Sequence, residues 1–267
     1  MKKYLSFFKI RFSNTLQYRS AAWAGVCTQF VWGFMKLLMF KAFYDGNPSA
    51  FPMTFQELSS YIWLQQSFLA LFAFWFFDND IFSTITDGNI SYELLRPMNL
   101  YNMWFTKNMA SRTAKALLRS VPILIIAALI PEPYRIGLPA DWLSLLMFIV
   151  TLVFGLVVVV STCMLIYIST IHTMSSIGIR VFAVSFVEIF SGAVVPLPFF
   201  PDGFRQFAEL LPFASMNNLP FRIYSGNISG IDMWFLTLLQ IFWIVTLGLV
   251  GRWWMKNSLK NVVIQGG

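Results

Sequence analysis

Few side chains in this 267-residue chain could do covalent chemistry. His172 is the single histidine, so a site built from two imidazoles, including the HExxH zinc motif, is excluded. Cys27 and Cys163 both lie inside apolar runs and lack the CxxC spacing of a metal or redox pair. No GxxxxGK[ST] cradle occurs, nor any Gly-Lys pair, so the chain has no loop of its own to grip nucleotide phosphates. Catalysis, a bound metal and a bound cofactor are therefore not expected. What remains is charge in apolar surroundings, which is costly at membrane depth unless paired or hydrated.

Lys36 and Glu188 are the two candidate intramembrane charges. From the expected span starts, Lys36 lies about 24 Å and Glu188 about 16 Å from the inner edge. That offset leaves three arrangements open: a pair made by long reach or tilt, Lys36 snorkelling outward, or a hydrated cavity around Glu188. Arg112, Lys115 and Arg119 project within about 60° of one another and form an inner basic stripe. Such a stripe suits lipid headgroups, or an inward vestibule that attracts anionic or amphipathic substrates. Pro122 follows it and can kink the helix, while His172 is expected to be a solvated residue of a short turn.

The elements that position these charges follow from composition. With 57% apolar, 18% aromatic and 12% charged residues, the chain has too few ionic groups to clothe a soluble globule. Six apolar runs predict transmembrane helices at about Ala21–Tyr44, Tyr61–Phe77, Ala116–Ile130, Trp142–Ser169, Ile177–Val195 and Met233–Trp254. The third is too short as it stands and must start earlier, inside the basic segment. The first has no small-residue cleavage pattern and is read as an uncleaved anchor. Trp142, Trp234, Trp253 and Trp254 are assigned to interfacial anchoring.

With both termini in the cytoplasm, fourteen of the nineteen Lys and Arg fall inside. Only Arg135, Arg205 and Arg222 fall outside, and Lys36 and Lys41 lie in the first span. This asymmetry fixes the orientation and accounts for the net charge of +7 without nucleic acid. No repeat or long hydrophilic stretch is visible, so residues 1–267 read as one membrane domain.

Three segments are not simple spans. Residues 1–20 suit an interfacial helix, with Leu5, Phe8, Phe12 and Leu16 within an arc of about 80°. Residues 78–107 form the longest inner connection: Ile81, Phe82 and Ile85 share a face, Asp87-Gly88-Asn89 is a turn signal, and Arg96-Pro97 ends a second helical turn. Two short helices joined by a glycine turn suggest either a docking element for a soluble protein or a loop packed on its own domain. Residues 191–232 hold five of the twelve prolines, Pro196, Pro198, Pro201, Pro212 and Pro220. Among them Phe204, Phe207, Ala208 and Leu211 mark one short amphipathic helix, which reads as an outer re-entrant segment or a structured loop.

The inner stretch Ile85–Pro97 (ITDGNISYELLRP), the outer stretch Ser191–Pro201 (SGAVVPLPFFP), then Leu211-Pro212-Phe213, Pro220, Gly226 and the closing Val263–Gly267 (VIQGG) together resemble the permease subunits of ABC-2-type ATP-binding-cassette exporters. The resemblance covers essentially the whole chain. It implies an all-α, six-span permease in a bacterial cytoplasmic membrane, paired with an identical or sister permease and docked on cytoplasmic ATPases that bind ATP and Mg. It also implies that Ile85, Gly88, Asn89, Glu93, Leu94, Arg96 and Pro97 lie at or beside the ATPase contact, as a coupling helix. Residues 1–20 become a connecting helix, and Ser191–Phe213 cap the substrate path. Lys36 departs from a purely apolar path. A secondary transporter or channel, or a membrane scaffold that merely recruits a partner, are the alternatives.

Overall fold

The computed structural model describes residues 2–47, 51–173 and 175–261. The closing Val263–Gly267 motif lies outside the described residues, among which helices are the only regular elements. In chain order they are α1 (Lys2–Leu16), α2 (Arg19–Gly46), α3 (Phe55–Ser67), α4 (Leu69–Phe72), α5 (Asn79–Thr86), α6 (Ile90–Leu94), α7 (Leu100–Leu129), α8 (Trp142–Thr173), α9 (Ile177–Phe190), α10 (Asp202–Leu210), α11 (Asn218–Tyr224) and α12 (Gly230–Ser258). By length and composition α2, α8 and α12 can each cross a bilayer, and the protein is an all-α, multi-pass membrane protein.

The third run does start earlier. The Asn99 side chain accepts from the Asn102 amide at 3.1 Å and caps α7, whose 30 residues extend about 45 Å. Leu100–Lys107, expected in the inner connection, are therefore the first two turns of a long helix. At the other end of the bundle the Asp141 carboxylate accepts from the Ser144 amide at 2.5 Å, which starts α8 and holds Asp141 below the usual carboxylate range.

Two expected spans are not helical throughout. α3 starts before the apolar run, at a capping box in which the Glu57 amide donates to the Thr54 hydroxyl at 3.2 Å and Glu57 accepts from the Thr54 amide at 2.6 Å. It ends after 13 residues at Ser67; α4 adds 4 more, and residues 73–78 run on without helix. α9 stops at Phe190 rather than Val195, because Gly192 turns the chain at φ +74° and Pro196 follows. Its 14 residues reach about 21 Å, short of the roughly 30 Å hydrocarbon core.

α3 lies at the centre, with every residue from Leu58 to Ser67 buried. The Trp63 ring sits between Phe30 and Phe34, at centroid distances of 5.5 and 5.4 Å, and against Gly33, where a Cβ would come within 2.9 Å of it. α1 lies along the start of α7: the Asn99 amide donates to the Tyr4 hydroxyl at 3.1 Å, and Lys3 Nζ donates to the Pro97 carbonyl at 2.6 Å. Phe8, Phe12 and Leu16 are half-buried, but Leu5, expected on the same face, is 57% exposed. One side of α1 thus rests on protein rather than on lipid alone.

Candidate functional site

The basic end of the bundle carries the α5–α6 hairpin. Asp78 caps α5 by accepting from the Asp80 amide at 3.1 Å, and Gly88 closes the turn at φ +74°, a left-handed conformation that favours glycine. Ile81, Phe82, Ile85 and Ile90 are all buried against the chain's own core. The Phe82 ring lies 4.9 Å from Tyr167, whose hydroxyl accepts from the Asp78 amide at 2.8 Å and donates to Asn108 at 3.2 Å. Lys107 bonds Asp78 and Asp80 at 2.9 and 3.1 Å. The hairpin is therefore locked to both α7 and α8.

Its far side is open. Of the seven residues expected at a partner contact, Asn89, Leu94, Arg96 and Pro97 are exposed and Gly88 shapes the turn. Ile85 is buried under the hairpin, beside the open side and not on it: an apolar face can be covered by its own chain. Glu93 is half-buried, accepting from Trp104 Nε1 at 3.3 Å and pairing with Arg96 at 3.4 Å. Sequence reasoning did not place Tyr92 and Leu95 at the site, yet they are 70% and 81% exposed. Their spacing carried the signal, since Tyr92 on α6 and Leu95 just after it, at i and i+3, point away from the buried Ile90.

The basic stripe divides. Arg112 is buried and turned inward, where its two terminal nitrogens donate to the carbonyls of Leu71 and Ala73 at 2.9 Å and of Phe76 at 3.0 Å. It satisfies the backbone freed where the second span breaks, and so turns away from a lipid-facing row. Lys115 and Arg119 stay together over the Phe76 ring, at 5.6 and 5.9 Å, and Arg119 also lies against Gly25.

Lys36 and Glu188 do not form an ion pair. Lys36 Nζ instead donates to Gln65 Oε1 at 2.8 Å and to the Ala193 carbonyl at 3.0 Å. Gln65 donates to that carbonyl as well, at 2.9 Å, and Tyr61 donates to the Gly192 carbonyl at 3.3 Å. Lys36 is thus tied to the turn after α9. Glu188, Gln65, Ser191 and Asn217 border a narrow cavity of about 20 Å³, and the buried Asn217 Oδ1 has no hydrogen-bond partner among the described residues.

In the proline-rich segment, Pro196 starts a 3-10 turn over Leu197–Phe199 that buries Leu197 and Pro198, and Pro201 precedes α10. Phe204 stacks on Phe190 at 5.4 Å, whereas Phe207 is 55% exposed. After Pro212, α11 turns back between α3 and α8 and buries Asn218, Leu219, Pro220, Phe221 and Ile223. Arg222 pairs with Glu209 and donates from Nε to Asn227 at 2.7 Å. A short helix buried within a bundle of spans is what irregular backbone at membrane depth requires.

A family model described as ABC-2 family transporter protein matches residues 30–266. The chain belongs to the ABC-2 transporter family. Comparison with curated proteins finds no match. The protein is thus the membrane permease component of an ABC transporter, and the matched region includes the hairpin, the Lys36 cluster and the proline-rich segment.

Among the described residues of the permease, no group of three or more His, Cys, Asp or Glu could hold a metal ion. His172 is exposed, as expected, but belongs to a helix and not to the connecting turn. It lies in the last turn of α8, within 2.7 Å of the Ser258 hydroxyl, and its ring stacks on Trp254. Trp254 therefore joins two helix ends, while Trp142, Trp234 and Trp253 are 78%, 51% and 66% exposed near helix termini.

Proposed function

We propose that this permease works as one half of a dimeric, ATP-driven exporter whose energy comes from separate cytoplasmic ATP-binding-cassette ATPases. The α5–α6 hairpin is the coupling element, and ATP and Mg bind to the partner. The observation that carries this reading is the hairpin's two-sidedness. One face is fastened to α7 and α8 through Lys107, Tyr167 and buried Phe82, so a push on it moves the spans. The other offers Tyr92, Leu95, Arg96 and Pro97 to a partner. The excess of Lys and Arg at this end supports placing it in the cytoplasm, with both termini there. α9 buries only Val187 in its own chain, which supports a second permease, identical or sister, as its neighbour. Closure of the ATPases would shift the hairpins and repack the dimer, alternating access to the path beneath the outer re-entrant segment.

Gly88→Arg tests the proposal. A side chain at φ +74° costs about 1–2 kcal/mol locally and places a bulky cation at the contact. The expected result is loss of the co-purifying ATPase at an unchanged level of permease in the membrane. Leu95→Glu, which imposes no backbone strain, should do the same. Retention of the ATPase by both variants would contradict the coupling role.

A further inference from the structure

A cavity of about 440 Å³ lies at the basic end between α1, α7 and the Phe76–Asp80 stretch, within the range of roughly 300–1,000 Å³ common for ligand sites. Its wall holds four cations, Arg11, Lys107, Arg112 and Lys115, against the two carboxylates of Asp78 and Asp80. Both carboxylates are engaged by Lys107, and the Arg112 guanidinium is engaged by backbone carbonyls. Arg11 and Lys115 are left. Each lies over a ring, Phe7 at 5.2 Å and Phe76 at 5.6 Å; among the described residues neither makes an ion pair, and the buried Arg11 Nε has no hydrogen-bond partner. Two unspent positive charges on facing helices, with Ser111 and Asn14 beside them, make a site for an anion.

We propose that this cavity binds a phosphate ester, held by Arg11 from α1 and Lys115 from α7, and that the ester is the headgroup of an anionic phospholipid of the inner leaflet. Depth supports the lipid as source. If a hydrocarbon core of about 30 Å ends at Leu129, its inner boundary falls about 20 residues back, near Ala110. Lys115 then roots about 7 Å inside that boundary, where its stem snorkels to the phosphate layer. Filled in this way, the site would pin α1 to α7 through a lipid. The inference rests on the inward placement of the basic end and not on ATPase docking.

The test measures lipid bound to the purified permease, with any co-purifying ATPase, by native mass spectrometry in neutral detergent. Phosphatidylglycerol is expected to be retained about tenfold more tightly than phosphatidylcholine, and Arg11→Gln with Lys115→Gln to remove that difference. The charge-conserving pair Arg11→Lys with Lys115→Arg should keep it, which separates lost charge from lost fold. Displacement of phosphatidylglycerol by millimolar inorganic phosphate would uphold the phosphate site and assign it to a soluble source. Equal retention of the two lipids by the wild type, or an undiminished preference in a glutamine pair that elutes as a folded protein, would overturn it. Because the glutamine pair leaves the hairpin surface intact, it should still bring down the ATPase.

Discussion

Replacing Arg112 with leucine is expected to destabilise the permease by about 3–5 kcal/mol, because buried backbone carbonyls lose their charged donor. The guanidinium is the donor for three carbonyls, those of Leu71, Ala73 and Phe76, where α4 gives way to irregular backbone. Without it the Leu71 and Phe76 carbonyls lose this donor, while Ala73 keeps the Phe76 amide at 3.3 Å, and each buried group left unsatisfied costs about 1–3 kcal/mol. Against a net stability of roughly 5–15 kcal/mol this is a large fraction. Thermal unfolding in mild detergent should show a midpoint about 10 °C lower. Arg112→Lys keeps the charge but not the fork that reaches several carbonyls at once, so it should recover only part of the loss. A leucine variant that unfolds with the wild type would show that the break in the second span is stabilised by something else.

Gly155→Val should be comparably severe. A Cβ at Gly155 would lie 2.1 Å from the Met216 carbonyl oxygen and 3.1 Å from the Phe72 ring. The first obstacle is backbone, so no rotamer change relieves it. The two chains are also fastened at this level, because Gln240 Nε2 donates to the carbonyls of Thr151 at 3.0 Å and Ser215 at 2.7 Å. Valine must force α8 away from the segment that leads into α11, at a cost of about 3 kcal/mol or more, the upper end for overpacking. Alanine should already cost about 2 kcal/mol. Gly178→Ala, in the open at the start of α9, serves as control and should be neutral or slightly stabilising. Equal unfolding midpoints for Gly155→Val and Gly178→Ala would contradict the close approach.

The sequence made legible whatever rests on local punctuation. The hairpin followed from Gly88 between two apolar turns, α10 from the spacing of Phe204, Phe207 and Ala208, and the long spans from unbroken hydropathy. The break after Phe72 had no such mark. The run from Tyr61 to Phe77 contains neither Gly nor Pro, and the group that permits the break, Arg112, lies 36 to 41 residues downstream. Lys36 misled for a related reason: a carboxylate was the natural partner to seek, but an amide oxygen and a backbone carbonyl serve it instead. Ile85 shows the limit at the hairpin. Periodicity finds an apolar face without saying whose surface covers it.

Photo-crosslinking from position 95 tests the central claim most directly. A benzophenone side chain in place of Leu95, at the exposed tip, should capture a single cytoplasmic protein when the membranes are irradiated. Peptide sequencing of that product should identify an ATP-binding-cassette ATPase, whereas the same probe at buried Ile85 should capture only the permease itself. Correct membrane insertion with no ATPase captured at position 95, from cells that express the whole transporter, would contradict the account.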